Sequence, residues 1–211
     1  MELNKEQIEF LNEYTNGVWT LNEKTGLVDI EGHFNCSGKG LSDFKGVRFG
    51  VVTGSFDCHN NKLTSLVGAP QEVGKDFYCD NNKLTSLVGA PQEVGEDFYC
   101  YNNKLTSLEG APQEVEGDFD CGDNQLTSLE GAPQEVEGDF DCHNNPISSE
   151  TLELVWETMQ KNKIDYWTAL CFIKSKIDSE EWVVMSKGID ERLSQDAQKG
   201  ASMLGRFGHF D

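Results

Sequence analysis

A single 21-residue sentence, repeated almost letter for letter, governs what the middle of this chain can become. Phe-x-Cys recurs at Phe34, Phe56, Phe77, Phe98, Phe119 and Phe140, at spacings of 22, 21, 21, 21 and 21 residues. Each full unit reads F-x-C-x-x-N-x-L-T-S-L-x-G-A-P-Q-E-V-x-x-D, with Asp123-Asn124-Gln125 as the main departure. The first unit is degenerate, keeping Cys36, Leu41, Phe44 and Gly46 but carrying Lys39 where the others have Asn. A unit this short cannot bury its own apolar face, so neighbouring units must stack on one another.

The letters give one coil. Phe-x-Cys alternates with period two, which turns Phe and Cys inward on a strand and their neighbours outward. Leu63, Leu66 and their equivalents pack inward on the turn that follows. Gly68-Ala69-Pro70 cannot continue a helix or a central strand, so the return path should be extended or turn-like. Val73 then closes the core. Strands of successive coils should lie in parallel, about 4.8 Å apart.

F-x-C-x-x-N-x-L-x-x-L resembles the leucine-rich-repeat pattern L-x-L-x-x-N-x-L-x-x-L, with Phe and Cys at the first two apolar positions. The short period and the Pro-containing return resemble the compact bacterial class of these repeats. The wording LTSLxGAPQEVxGDFxC is similar to repeat proteins encoded by tailed bacteriophages. The resemblance covers residues 34–147. It implies an α/β solenoid with a single parallel sheet and no convex helices in the repeats. It also implies that the Asn ladder (Asn61, Asn82, Asn103, Asn124, Asn145) turns inward and bonds neighbouring backbone.

Two further ladders run through the repeat. Cys36, Cys58, Cys79, Cys100, Cys121 and Cys142 supply one inward thiol per strand, a line rather than the converging tetrahedron zinc requires, so they read as core. Asp76, Asp97, Asp118 and Asp139 precede each Phe. Backbone N–H groups at the start of each strand are their expected partners. Calcium held between coils is the alternative, because carboxylate oxygens suit hard cations, although no D-x-D-x-D-G loop is present.

Where most positions are copied, the exceptions carry the information about function. Between Phe and Cys the series runs Asn35, Asp57, Tyr78, Tyr99, Asp120, Asp141; after Cys it runs Ser37, His59, Asp80, Tyr101, Gly122, His143. These positions share the outward face of the sheet. Tyr78, Tyr99 and Tyr101 should cluster centrally, with Asp57 and His59 to one side and Asp120, Asp141 and His143 to the other. Aromatic groups ringed by polar ones are how binding hot spots are built. The same nine residues, Asp80 included, are the candidate partner-binding set. Simple cross-strand stacking of the tyrosines is the competing reading. Glu109, Glu116, Glu130 and Glu137 add acid away from this face and read as solvation.

Charge narrows the partner. The chain has 37 acidic and 17 basic residues, a net charge of −20. Residues 55–146 contain 18 acids and 4 bases, hence −14 of that total. Direct binding to nucleic acid or an anionic membrane is disfavoured, and a protein with a basic surface is favoured. No apolar leader follows MELNKEQIEF and no apolar run approaches the ~18–20 residues of a membrane span, so a cytoplasmic location is expected.

No catalytic arrangement emerges. His33, His59, His143 and His209 lack triad or metal-ligand spacing, and no phosphate-binding glycine loop or H-E-x-x-H is present. Cys171, the one cysteine outside the ladder, sits in an apolar context. The expectation is therefore a non-enzymatic interaction scaffold without a cofactor. The phage resemblance implies an inhibitor of a bacterial host protein, immune or nucleic-acid-processing, acting in the cytoplasm of the infected cell as an anti-defence factor. Two alternatives stay open. One is a nucleic-acid mimic that blocks a DNA- or RNA-binding protein; the other is a calcium-stabilised phage structural or host-surface binding protein.

The ends are expected to differ from the middle. Residues 1–33 should form a helix opened by Asn4 and then a hairpin around Lys24-Thr25-Gly26, covering the first coil. Residues 148–211 turn helical, with Leu152, Val155 and Trp156 as one stripe, Trp167, Leu170 and Cys171 as another, and a capping-box pattern at Asp178 to Glu181. They should form a C-terminal helical cap beyond a 34–147 solenoid.

Overall fold

A computed structural model describes residues 2–127 and 129–147. The expected C-terminal helical cap, 148–211, lies outside the described residues. Helix α1 (Lys5–Tyr14) opens as its sequence predicts: Asn4 accepts from the Gln7 backbone while Gln7 reaches back to the Asn4 N–H. This reciprocal pair satisfies donors that a helix start leaves without partners. The buried residues Phe10 and Leu11 lie on its inner side, with the Phe10 ring 5.4 Å from that of Phe34.

Strands β1 (Thr15–Leu21) and β2 (Val28–Asn35) pair antiparallel as a hairpin. β2 alternates Val28, Ile30 and Phe34 into the core. Residues 33 and 34, where the sequence suggests a boundary, both lie inside β2, so the hairpin's second strand is also the solenoid's first.

From β2 the chain winds into a parallel-strand β-solenoid of about five turns. Strands β3 (Phe49–Val52), β4 (Phe56–Asp57), β5 (Glu72–Val73), β6 (Phe77–Tyr78), β7 (Glu93–Val94), β8 (Phe98–Tyr99), β9 (Glu114–Val115), β10 (Phe119–Asp120), β11 (Glu135–Val136) and β12 (Phe140–Asp141) follow. They form two parallel ladders. The Phe-x strands stack in the order β2-β4-β6-β8-β10-β12, in register Phe on Phe. The Glu-Val strands stack as β3-β5-β7-β9-β11, Val on Val.

The second ladder is a departure from the expected single run of Phe-x-Cys strands. Its physical basis is the short Gly-x-Asp corner. Only three residues separate Val73 from Phe77, so one extended stretch bends and pairs on both sides of the bend. β2, without a corner, feeds both ladders at once, pairing with β3 through Val28 and Ile30 and with β4 through Phe34 and Asn35. Among the described residues α1 is the one α-helix, and none of the coils carries a convex one.

The core is a set of columns. The six repeat phenylalanines are buried and stack with centroids 5.1–5.6 Å apart and planes within 9–18° of parallel. The six ladder cysteines are buried free thiols. Burial pushes the Cys36 thiol up to about 12 and the others upward too, so they behave as small apolar groups.

The Asn-Asn pair after each Cys divides two tasks. Asn60, Asn81, Asn102, Asp123 and Asn144 take positive φ of 51–54°, a conformation that Asn and Asp tolerate better than most residues. The second Asn bridges coils. Asn103 Oδ1 accepts from Leu84 N–H at 2.9 Å, and its Nδ2 donates to the Cys79 and Cys100 carbonyls, both at 3.0 Å. Asn61, Asn82, Asn124 and Asn145 repeat the pattern. The Gly of Gly-Ala-Pro is fixed by close approach: at Gly89 (φ +96°) a Cβ would lie 2.8 Å from the Leu66 carbonyl oxygen.

Denaturant unfolding should separate the two roles of Asn. Asn103→Ala strands the Leu84 N–H and takes one of two side-chain donors from each of the Cys79 and Cys100 carbonyls, which keep Asn82 and Asn124, and is expected to cost about 2 kcal/mol. Asn102→Ala, which loses left-handed tolerance and an exposed bond to Asn81 Oδ1, should cost about 1 kcal/mol, and Asn102→Gly, which loses only that exposed bond, a few tenths.

Candidate partner-binding face

The outward positions flanking each Cys sit where strand alternation places them, in two rows one coil apart per step. Tyr78 and Tyr99 are register partners and stack, with centroids 5.3 Å apart and planes 11° from parallel. Tyr101 meets Tyr99 edge-on, with centroids 6.4 Å apart and planes at 80°. The three tyrosines therefore form one cluster, each half-buried. Tyr99 donates to Asp97 Oδ2 at 2.8 Å. Burial first, and then neighbouring aspartates, raises all three phenols, with Tyr78 reaching about 12. They remain neutral donors at any physiological pH.

Asp57 and His59 form a pair on one flank. His59 Nδ1 lies 2.6 Å from Asp57 Oδ1, and Asn35 donates to the other carboxylate oxygen at 3.0 Å. On the opposite flank Asp120, Asp141 and His143 converge, one ligand atom of each lying within 4.8 Å of the others. Among the described residues this acid–histidine group is the one that could hold a metal ion. Asp80 is covered where an exposed carboxylate is expected: it is 3 % exposed, and Asn81 donates to its Oδ2 at 2.6 Å.

Two residues not singled out for the site seat His143. Gly122 supplies the space: a Cβ there would lie 2.3 Å from His143 Cε1. Asp123 supplies a second acceptor, with His143 Nε2 3.1 Å from Asp123 Oδ2 and Nδ1 2.8 Å from Asp141 Oδ1. Both ring nitrogens thus face carboxylates, which a doubly protonated imidazolium satisfies. Burial works against that charge, but the Asp141 hydrogen bond and the charges of Asp141, Asp120 and Asp123 outweigh it and raise the His143 pKa. Both residues break the repeat: Gly122 is the sole glycine of its row, and Asp123 the sole Asp among the five left-handed positions.

The row Asp76, Asp97, Asp118 and Asp139 is built into the backbone. Asp97 N–H donates to Asp76 Oδ1 at 3.3 Å, Asp118 N–H to Asp97 Oδ1 at 2.8 Å, and Asp139 N–H to Asp118 Oδ1 at 2.8 Å. The Asp76, Asp97 and Asp118 carboxylates therefore help fasten the next coil at the corner.

Cations are scarce on this face. Among the described residues the lysine ion pairs are Lys5–Glu9, Lys45–Glu6 and Lys75–Glu96, none of them with an aspartate of this face. Among the same residues Asp57, Asp97, Asp118, Asp120 and Asp141 have no Lys or Arg at ion-pair distance, and His59 and His143 pair with Asp57 and Asp141. Burial pushes the Asp120 carboxyl up to about 6, with Asp141 adding to the rise.

The fold and this face define a parallel-strand solenoid with one decorated side. No protein-family model, no curated protein and no solved structure matches the chain. No described helix is long and apolar enough to cross a membrane.

The raised Asp120 pKa has a measurable sign. The folded state holds a proton that the unfolded chain has already released, so Asp120 adds stability below about pH 4 that is lost as pH rises through about 6. Asp120→Asn removes this dependence. It should be more stable than wild type by about 2 kcal/mol near pH 7.5, and no more stable near pH 4, in thermal melts across that range. A second substitution tests the seat: Gly122→Ala should expel the His143 ring and bring its pKa down, read by NMR titration of the imidazole.

Proposed function

We propose that this protein is a non-enzymatic binding scaffold that holds a basic patch of another protein against its tyrosine-centred acidic face. The observation that carries this reading is the charge left without a basic partner. Among the described residues, five aspartates line or border the face with no Lys or Arg at ion-pair distance, while the lysine ion pairs of those residues are all made to glutamates. Side chains chosen only for stability would not leave Asp120 half-buried beside Asp141, where burial and the neighbouring carboxylate raise the cost of ionising it. A cationic partner would relieve that cost on binding, and the stacked tyrosines would contribute most of the contact area.

The repeat supports the same reading from a different direction. Positions that build the coil are copied unchanged, whereas the outward positions beside Cys vary from coil to coil. A scaffold with one binding side has this signature, because the partner, and not the fold, sets those residues. If the phage resemblance of the sequence holds, the partner is a bacterial host protein and the scaffold acts by occupying its basic surface.

The test is a double substitution that spares the core. Tyr99→Ala with Tyr101→Ala should keep the circular dichroism spectrum and lower the melting temperature only slightly, yet lose a partner that the wild type captures at physiological salt. Capture that survives this change, but is abolished by Asp57→Asn, Asp120→Asn and Asp141→Asn together, would assign the work to the carboxylate row alone, as in mimicry of a phosphate backbone. Capture unaffected by either set would overturn the reading.

A further inference from the structure

The two stacked tyrosines cover only one face of each other. Because their planes lie within 11° of parallel along the ladder, the outer face of Tyr78 looks toward the coil of Asp57, and the outer face of Tyr99 toward the coil of Asp120. Asp57 and Asp120 are their register partners and end in carboxylates well short of a tyrosine ring. At each end of the stack, then, an aromatic face rises like a step beside a carboxylate floor, and no other side chain of that row covers the step.

A step of this shape suits a guanidinium. The planar cation can lie against the ring face while its N–H groups reach the carboxylate below, a combination that an ammonium makes less well. The two ends differ in what they offer. The Asp57 oxygens already accept from Asn35, from the His59 backbone and from the His59 ring. Asp120 accepts from the Gly122 N–H at 2.8 Å through one oxygen, and Asp141 stands next to it. Asp120 thus makes fewer of these bonds than Asp57, the His143 ring at this end being held by Asp141 and Asp123.

The distance between the steps is set by the fold. Asp57, Tyr78, Tyr99 and Asp120 are consecutive register partners, three ladder spacings in all, or about 14 Å. An extended chain carries residues i and i+4 on the same side about 13–14 Å apart, and residues i and i+2 only about 7 Å apart. One turn of α-helix advances about 5.4 Å and reaches one step only.

Resting on the proposed reading of a basic partner, we infer that the face recognises an extended segment bearing two arginines four residues apart. One sits on Tyr99 and Asp120, the other on Tyr78 and Asp57. Charge complementarity selects the segment and the height of the stack selects its spacing. The segment lies along the solenoid axis, across the strands.

Fluorescence anisotropy with the full chain tests this. Two labelled peptides of identical composition, in a Ser/Thr/Val background, carry their arginines at i and i+4 or at i and i+2. The i,i+4 peptide should bind at least about fivefold more tightly. Asp120→Asn should remove that preference and weaken the i,i+4 peptide about tenfold, with Asp57→Asn weakening it less. Tyr99→Leu, checked for an unchanged melting profile, should act like Asp120→Asn. Equal binding of both peptides would sink the spacing while leaving a basic partner in place. Failure of both peptides to bind would remove the two-arginine segment and, together with capture unaffected by either set of substitutions, the basic partner too.

Discussion

The bond from each inward asparagine to the coil before it holds this molecule together. A coil of 21 residues closes through a tight turn, and a buried turn leaves backbone groups without partners. One carboxamide has an acceptor and two donor hydrogens, which is what the place requires. Its oxygen takes an N–H from the previous coil, and its nitrogen spans a carbonyl of its own coil and one of the last. No other side chain of this length carries both polarities. Everything outward of the core, including the face with its tyrosines, takes its coil-to-coil register from this repeated tie.

On that frame the two kinds of aspartate do different work. Those at the corner, Asp76, Asp97 and Asp118, give an oxygen to the next coil's backbone and are structural. Among the described residues, those in the outward row have histidines as their cationic neighbours. The same residue type thus serves as fastener in one row and as displayed charge in another, two residues away along the chain. Alternation puts both on the same side; the corner makes the distinction, because there the carboxylate meets the N–H of the next coil.

How far the sequence discloses this can be traced residue by residue. The period, the inward Phe, Cys and Leu, the parallel stacking and the tyrosine cluster are all legible, because each follows from alternation or from copying. The Glu-Val ladder is not: two residues carry no periodicity of their own, and Gly-x-Asp reads as a turn instead of a bend between paired segments. Asp80 is misleading, since alternation places it on the outward face while its carboxylate is buried and bonded to Asn81. Gly122 and Asp123 have visible signals as departures from the repeat, but their common purpose appears only when the His143 ring is seen to lean back one coil. Side chains that reach across coils escape any reading confined to a single strand.

Near-identity of the coils also raises a problem of counting. A chain that skipped a coil while folding would still set Phe on Phe, Val on Val and Asn beneath Cys, at almost no energetic disadvantage per contact. The His143 ring, however, fits over a residue without a side chain, and Gly122 is the sole such residue in its row. Set over Tyr101 or Asp80, that ring would collide with what it found. The one-glycine seat therefore acts as an index mark, giving an otherwise interchangeable stack a definite order.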